Sequence, residues 1–323
     1  MTSRAADAVL FDLGGVVLTW EPARAYEQVL APELVPGFMA EIGFAEWNRS
    51  HDAGRAFAVG ERELIQRHPE HEQAVLAYRR HFGTTLTGMV PGTGAVLAEL
   101  AAAGVGLAAL TNWSAETFPV ARRRFGLLGR FAGVLVSGEE QLAKPDPRIF
   151  ALALARFGLV AERTVFVDDS PVNVEAARAA GLQARLFVGA EALRADLVDL
   201  GLLVHRRPLG RPVHHLTEAQ VWRQAQAEGH YPWSSRGLGY EAAGFVHASF
   251  AEQLPATRRT VYGDLADDDL VVVELDPDRS GLPVVVEEGA DGAYPHLFAP
   301  LPVAGVDAAP FTDRWASVHP SDT

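Results

Sequence analysis

Residues 8–18 (AVLFDLGGVVL) form an almost unbroken apolar run interrupted by one aspartate and two glycines. That is the pattern of a parallel strand buried on both faces and carrying a carboxylate at its end. The same grammar returns twice. Residues 105–110 run into Thr111-Asn112, and residues 164–167 run into Asp168-Asp169-Ser170. A segment of helical spacing follows each of these tips, over 115–125 and 173–180, so strands alternate with helices and the pattern predicts an α/β fold with a doubly wound parallel sheet. In such sheets ligands sit beyond the carboxyl ends of the strands, where these polar tips would gather.

Between residues 20 and 89 the strand signal disappears, and apolar positions recur at helical spacing, for example over 61–68 and 72–82. This predicts a helical cap (20–89) inserted into a core made of residues 1–19 and 90–204, a cap able to restrict access and exclude water. Residues 205–211 (HRRPLGR) are basic, punctuated by Pro and Gly, and without apolar periodicity, which reads as a linker. Short β-like runs at 270–275 and 283–287, a helix over 217–227 and frequent Gly and Pro then predict a small α+β domain over 212–323. No tandem repeat is evident.

Composition narrows the function. A chain of 323 residues with 48% hydrophobic content can bury a sizeable core and is long for one domain, so two domains are expected. A formal charge of −13 repels nucleic-acid backbones and anionic membranes, so neither is expected as a partner, and an anionic substrate needs a local positive site. The absence of cysteine excludes disulfides, thiolate nucleophiles and Cys-ligated metals. No apolar stretch approaches the length of a membrane span, and no leader pattern follows Met1. A soluble, cytoplasmic protein is the expectation; the sequence gives no signal of oligomeric state.

Four features follow one another along the chain: Asp12 with Gly14, Thr111-Asn112, Lys144-Pro145 and Asp168-Asp169. Each alone is weak, because apolar runs ending in Asp are common and a lone Lys is usually solvated. Together, in this order, they resemble the four motifs of the haloacid dehalogenase-like hydrolase superfamily over roughly residues 6–200, with a likeness to its sugar-phosphate phosphatase branch. The resemblance implies a covalent nucleophile at Asp12 that attacks phosphorus and forms an acyl phosphate, which water later hydrolyses. It implies Mg²⁺ held by Asp12, the carbonyl of Gly14 and Asp169, with Asp168 ligating or holding a water. Thr111 and the backbone N–H groups after it, with Asn112 and Trp113, would bind the transferring group. Lys144 would stabilise its negative charge. Thr111 can equally cap the following helix, and Ser170 and Asn173 can either brace the acidic loop or cap the next helix. The substrate expected is a small phosphorylated metabolite.

One position departs from the pattern. Phosphatases of the superfamily usually carry a second Asp two residues after the nucleophile, which protonates the leaving oxygen; this chain has Gly14. Three replacements are open: a water at Asp169, or His51 or Asp52 of the cap. Because a halide leaving group needs no proton, dehalogenation of a small halogenated acid remains a rival reading, as does an inactive ligand-binding or regulatory module. In the cap, residues 46–51, among them Arg49 and His51, are candidate substrate contacts or simply an amphipathic helix surface.

Residues 212–310 resemble domain of unknown function 952, on Val213-His214-His215-Leu216, the run 244–249 (GFVHAS), the run 271–276 (VVVELD) and the run 294–300 (YPHLFAP). His214 or His215, His247 and His296 lie beside β-like runs. They read as satisfied core or surface histidines, with zinc ligation or substrate positioning as the alternatives. A distant kinship to ADP-ribosyltransferase-like folds would make a nicotinamide or ribose pocket conceivable by fold analogy alone.

Overall fold

The computed structural model describes residues 4–289, 292–312 and 315. The chain divides into two compact units, Met1–Thr93 with Ala103–Val204, and Gly94–Ala102 with His205–Thr323.

The first unit is built on a five-stranded, all-parallel sheet. Its strands lie in the order Val134–Val136, Gly106–Thr111, Ala8–Phe11, Thr164–Asp168, Gln183–Leu186. The apolar runs form these strands because a sheet covered by helices on both faces buries every position; all four residues of Ala8–Phe11 and all five of Thr164–Asp168 are buried. The first strand is central. The chain winds outward from it on one side through Gly106–Thr111 and Val134–Val136, then crosses to its other side at Thr164–Asp168, so a topological switch point falls beside the end of the first strand. One core layer joins Leu10, Leu110, Leu135 and Phe166 of the sheet to Ile149, Phe150 and Ala153 of the helix Pro147–Phe157. That helix starts where sequence chemistry says it should. Asp146 accepts the Arg148 N–H as N-cap, Pro147 takes the first position, and Gly158 ends it at φ 63°.

Helices occupy most of the interval between residues 20 and 89, including Phe44–Asp52, Phe57–Arg67 and Glu72–Arg80. The strand signal does not vanish there. Leu86–Met89 pairs antiparallel with Leu18–Trp20, so the two arms that leave and re-enter the core form a short ribbon at the root of the cap. Four residues with a glycine inside are too short for a periodicity to register, and the pairing comes from the partner strand. The cap interior is aromatic: Tyr26 meets Phe38, Phe44 and Tyr78, and Trp47 meets Phe57 and Tyr78, at centroid distances of 5.1–5.9 Å.

The second unit is α+β. One three-stranded antiparallel sheet has the order Asp307–Pro310, Leu270–Leu275, Val213–Glu218; another has Val246–His247, Gly292–Leu297, Val284–Gly289. The helix Ala219–Glu228 packs Trp222 and Ala225 into a core with Val213, Val246, Val273 and Leu297. Residues 205–211 contain no helix or strand. The helix Thr93–Ala102, apart from its first residue, groups with this unit, and its Ala95 and Ala98 cluster with Val285 and Phe298. No helix among the described residues is long and apolar enough to cross a membrane.

Candidate active site

Asp12 directly follows the central strand, and its backbone N–H still donates to Val167 O at 2.8 Å, so the sheet fixes its main chain. Its Oδ1 accepts from the Leu13 N–H at 2.7 Å and lies 2.9 Å from Lys144 Nζ. Lys144 is buried, and its ammonium has three partners: Asp12, Asp168 Oδ2 at 2.7 Å and Leu110 O at 3.0 Å. An ammonium carries three N–H donors, so this one is fully satisfied. Burial works against the charged lysine, but the two carboxylates more than offset it and its pKa stands above the ordinary value. Burial also pushes the Asp12 carboxyl up to about 6, against the pull of Lys144 and with the charge of Asp168 adding to the rise.

Asn112 holds the lysine loop in place. Its Nδ2 donates to Lys144 O at 2.9 Å, and its Oδ1 accepts the Lys144 N–H at 2.9 Å. The tip of the strand Gly106–Thr111 is thereby clamped to the loop before Pro147–Phe157. Thr111, at that strand's end, is buried.

Asp168 is fully enclosed and both of its oxygens are engaged. Oδ1 accepts from the Ser170 N–H at 2.8 Å and Asn173 Nδ2 at 3.0 Å; Oδ2 accepts from Lys144 and from Asn173 Nδ2 at 3.1 Å. Asn173 thus braces the acidic loop, whereas Ser170 contributes its backbone. Asp169 packs against Gly15: a Cβ built on that glycine, at φ +74°, would lie 2.2 Å from Asp169 Oδ2, so the second glycine of the motif is required there for both conformation and space. Oxygens of Asp12, Asp168 and Asp169 lie within 4.8 Å of one another. Three carboxylates beside one ammonium leave an excess of negative charge, and an all-oxygen donor set suits a hard divalent cation.

A cavity of about 70 Å³ opens beside Gly14. Trp20, Tyr78, Phe82 and Trp113 give it aromatic walls, and Asn48, Asp52, Asn112 and Thr117 supply polar groups. Of the cap positions singled out in the sequence, Asn48 and Asp52 line this cavity; Arg49 and His51 do not. Arg49 is exposed on its helix. His51 is wholly buried inside the cap, stacked on Phe57 at 4.1 Å with its Nδ1 2.8 Å from Arg55 O. A Cβ on Gly60 would lie 2.5 Å from its imidazole, so the ring is packed against the next helix rather than turned toward Asp12. Asn48 falls within the cap segment 46–51 that the sequence marked; Trp20, Tyr78 and Phe82 carry no such signal. Only the spacing of Asn48 and Asp52, four residues apart on one helical face, hinted that the pair acts together.

The histidines of the second unit are separate from any such cluster. Among the described residues, groups of three potential ligands within 4.8 Å are Asp12-Asp168-Asp169 and Glu41-His68-Glu70, so His214, His215, His247 and His296 do not assemble a zinc site. His215 is buried, donates from Nδ1 to His247 O at 2.7 Å and has its Nε2 2.8 Å from the Tyr231 hydroxyl; burial lowers its pKa to about 4, so it is a neutral core residue. His214 sits 3.3 Å from Glu274, His247 2.8 Å from Ser234 Oγ, and His296 2.8 Å from Glu287.

Residues 216–309 match the family model DUF952, a protein family of unknown function. Phosphoserine phosphatase of Thermus thermophilus is 40% identical over 97 residues, which are 30% of this chain and 39% of that protein, so the chain spans well under half of its length. Phosphoglycolate phosphatase of Cereibacter sphaeroides is 31% identical over 215 residues, 64% of this chain and 98% of its own. Among solved structures, a HAD family enzyme from Bacteroides thetaiotaomicron superposes with a TM-score of 0.49 at 18% identity, over 60% of this chain and 99% of that one. Residues 6–181, more than half of the chain, match the model described as haloacid dehalogenase-like hydrolase, and with four polar motifs gathered at the strand ends of a five-stranded parallel sheet the chain belongs to that family.

Proposed function

We propose that this hydrolase is a magnesium-dependent phosphatase that cleaves a small phosphorylated metabolite through an aspartyl-phosphate on Asp12. The observation that carries the reading is the placement of Asp12 at the end of the central strand, 2.9 Å from a buried Lys144 and within one cluster with Asp168 and Asp169. A carboxylate nucleophile and a phosphate dianion repel each other, so the site must supply positive charge. Lys144 supplies one part of it. Asp12, Asp169 and the carbonyl of Gly14 would hold Mg²⁺, which when bound supplies the rest by neutralising charge on the nucleophile and the phosphoryl oxygens. Asp168, its oxygens taken by Lys144, Asn173 and Ser170, orients the lysine. Asn112 sets the height of the same side chain through the Lys144 backbone, and Thr111 with the N–H groups beyond it would bind the phosphoryl oxygens. The phosphatases named above as relatives support this chemistry, and the roughly 70 Å³ cavity suits a small organic remainder.

The second reading is dehalogenation of a small halogenated acid, favoured by Gly14, which offers no acid beside the nucleophile. Phosphate release from a panel of phosphorylated metabolites, with magnesium and with EDTA, is set beside chloride release from 2-chloropropionate. Metal-dependent phosphate release is expected; metal-independent chloride release without phosphatase activity would transfer the assignment to the second reading. Asp12→Asn is expected to abolish turnover while leaving Tm within a few degrees, because an isosteric amide disturbs little packing, Lys144 keeps Asp168 as its counter-charge and burial already disfavours the Asp12 charge. Retained turnover would refute the covalent route.

A further inference from the structure

Ester cleavage by Asp12 leaves an alkoxide that must be protonated as the phosphorus–oxygen bond breaks, and Gly14 has no side chain to do it. A Cβ built on Gly14 would meet no heavy atom within 4 Å, so the room beside it is open space in the cavity. The same cavity is lined by Asp52, the last residue of the cap helix Phe44–Asp52. We propose that Asp52 is the proton donor to the leaving oxygen and, in the second half of the reaction, the base that activates water; this rests on the phosphatase reading above.

The surroundings of Asp52 fit the task. Its carboxyl accepts Asn48 Nδ2 at 2.9 Å and the Ser114 backbone N–H. The Tyr78 hydroxyl donates to Asn48 Oδ1 at 3.0 Å, which turns the amide so that its NH₂ end faces Asp52. The main chain is fixed as well, since Ser137 Oγ donates to Asp52 O at 2.5 Å and accepts the Trp113 N–H at 2.9 Å, joining the end of the cap helix to the strand tip of the core. Two neutral donors orient the carboxyl without demanding its negative charge. Among the described residues Asp52 has no ion-pair partner, unlike Asp12 and Asp168, each of which holds Lys144. The titratable groups that act on it electrostatically are Asp12 and Tyr78, the latter hydrogen-bonded to Asn48. Burial raises its carboxyl to about 7; the Ser114 N–H pulls the other way and the charge of Asp12 adds to the rise. A carboxyl with that value is substantially protonated at neutral pH and releases the proton readily. The other candidates fare worse. His51 points into the cap interior, and Asp169, if it holds a cation, has no proton to give.

The steps balance. An Asp12 oxygen bonds to phosphorus, the bond from phosphorus to the ester oxygen breaks, and the Asp52 proton passes to that oxygen, releasing the alcohol. Water then adds to phosphorus as Asp52 carboxylate takes its proton. Phosphate leaves, and Asp12 carboxylate and Asp52 acid are restored.

The test compares two esters on the full chain with magnesium: 2-phosphoglycolate, whose alkoxide needs a proton, and p-nitrophenyl phosphate, whose phenolate leaves unprotonated. Asp52→Asn is expected to lower kcat/KM, which reads the steps through alcohol release, by about 10²–10⁴-fold on the alkyl ester and to leave kcat/KM on the aryl ester nearly unaffected. Its kcat falls on both esters, because hydrolysis of the shared aspartyl-phosphate loses its base. Adding Gly14→Asp to that variant, an acid built into the open space, is expected to restore alkyl cleavage. Equal losses of kcat/KM on both esters would overturn the donor role while leaving the phosphatase reading intact. So would a wild-type enzyme that cleaves only the aryl ester, a result that needs no variant to fold. Wild-type inactivity on both esters would overturn the two readings together.

Discussion

Lys144 places a positive charge between Asp12 and Asp168, with its side chain fully buried. Removing one member of a buried ionic group leaves the others uncompensated, at a cost of about 3–5 kcal/mol. Lys144→Met is therefore expected to lower Tm sharply as well as to abolish turnover. Magnesium should recover part of that Tm by binding the stranded carboxylates; a variant whose Tm equals that of wild type would show that the lysine is not structural. Asp52 carries the opposite sign of effect. Its folded pKa, about 7, stands above the ordinary aspartate value, so the folded state holds the proton more tightly than the unfolded chain. The resulting stability is fully present below pH 4 and is lost as pH rises through 7. Asp52→Asn, which cannot ionise, is expected to raise Tm at pH 8 and to change it little at pH 4. A gain that does not depend on pH would contradict the buried, proton-holding state of this carboxyl. A group that weakens the fold at working pH is the kind of residue function retains.

Individual helices show how tightly the cap is specified. Gly60, on the helix Phe57–Arg67, lets the rings of His51 and Trp47 approach its backbone; a Cβ there would lie 2.5 Å from the imidazole and 2.9 Å from the indole nitrogen. Gly60→Ala is expected to cost about 1–3 kcal/mol through overpacking, read as a lower urea midpoint; an unchanged midpoint would mean that His51 can swing aside. The junction between cap and core depends on the short helix Ser137–Glu140. Ser137→Ala would leave the buried Trp113 N–H without its 2.9 Å partner, at about 1–3 kcal/mol, and would free the end of the Phe44–Asp52 helix. A rise in KM larger than the fall in kcat is the expected signature, and unaltered kinetics would show that Ser137 does not hold the cap. The sequence could not foresee this junction: a serine after a strand reads as an ordinary helix cap, and its partner Asp52 lies 85 residues away.

For the whole molecule, the division at residues 205–211 is proposed as a domain boundary, and a fragment ending at residue 204 is expected to fold and retain turnover. The helix Thr93–Ala102 marks where that expectation is most exposed, because Ala95 and Ala98 cluster with Val285 and Phe298. An insoluble fragment would mean that the rest of the chain completes a core for this helix. What the sequence by itself determined was the set of elements whose pattern is local and strongly periodic. The apolar runs at 8–18, 105–110 and 164–167 declared the buried parallel strands found at Ala8–Phe11, Gly106–Thr111 and Thr164–Asp168, and the polar residues ending them declared where chemistry would collect, because a doubly covered strand leaves only its tip free to carry charge. Tertiary structure alone decided which cap side chains reach that chemistry. His51 and Asp52 are adjacent in sequence and equally polar, yet neighbours on a helix point about 100° apart, so packing against Gly60 buried one and the opening beside Gly14 received the other.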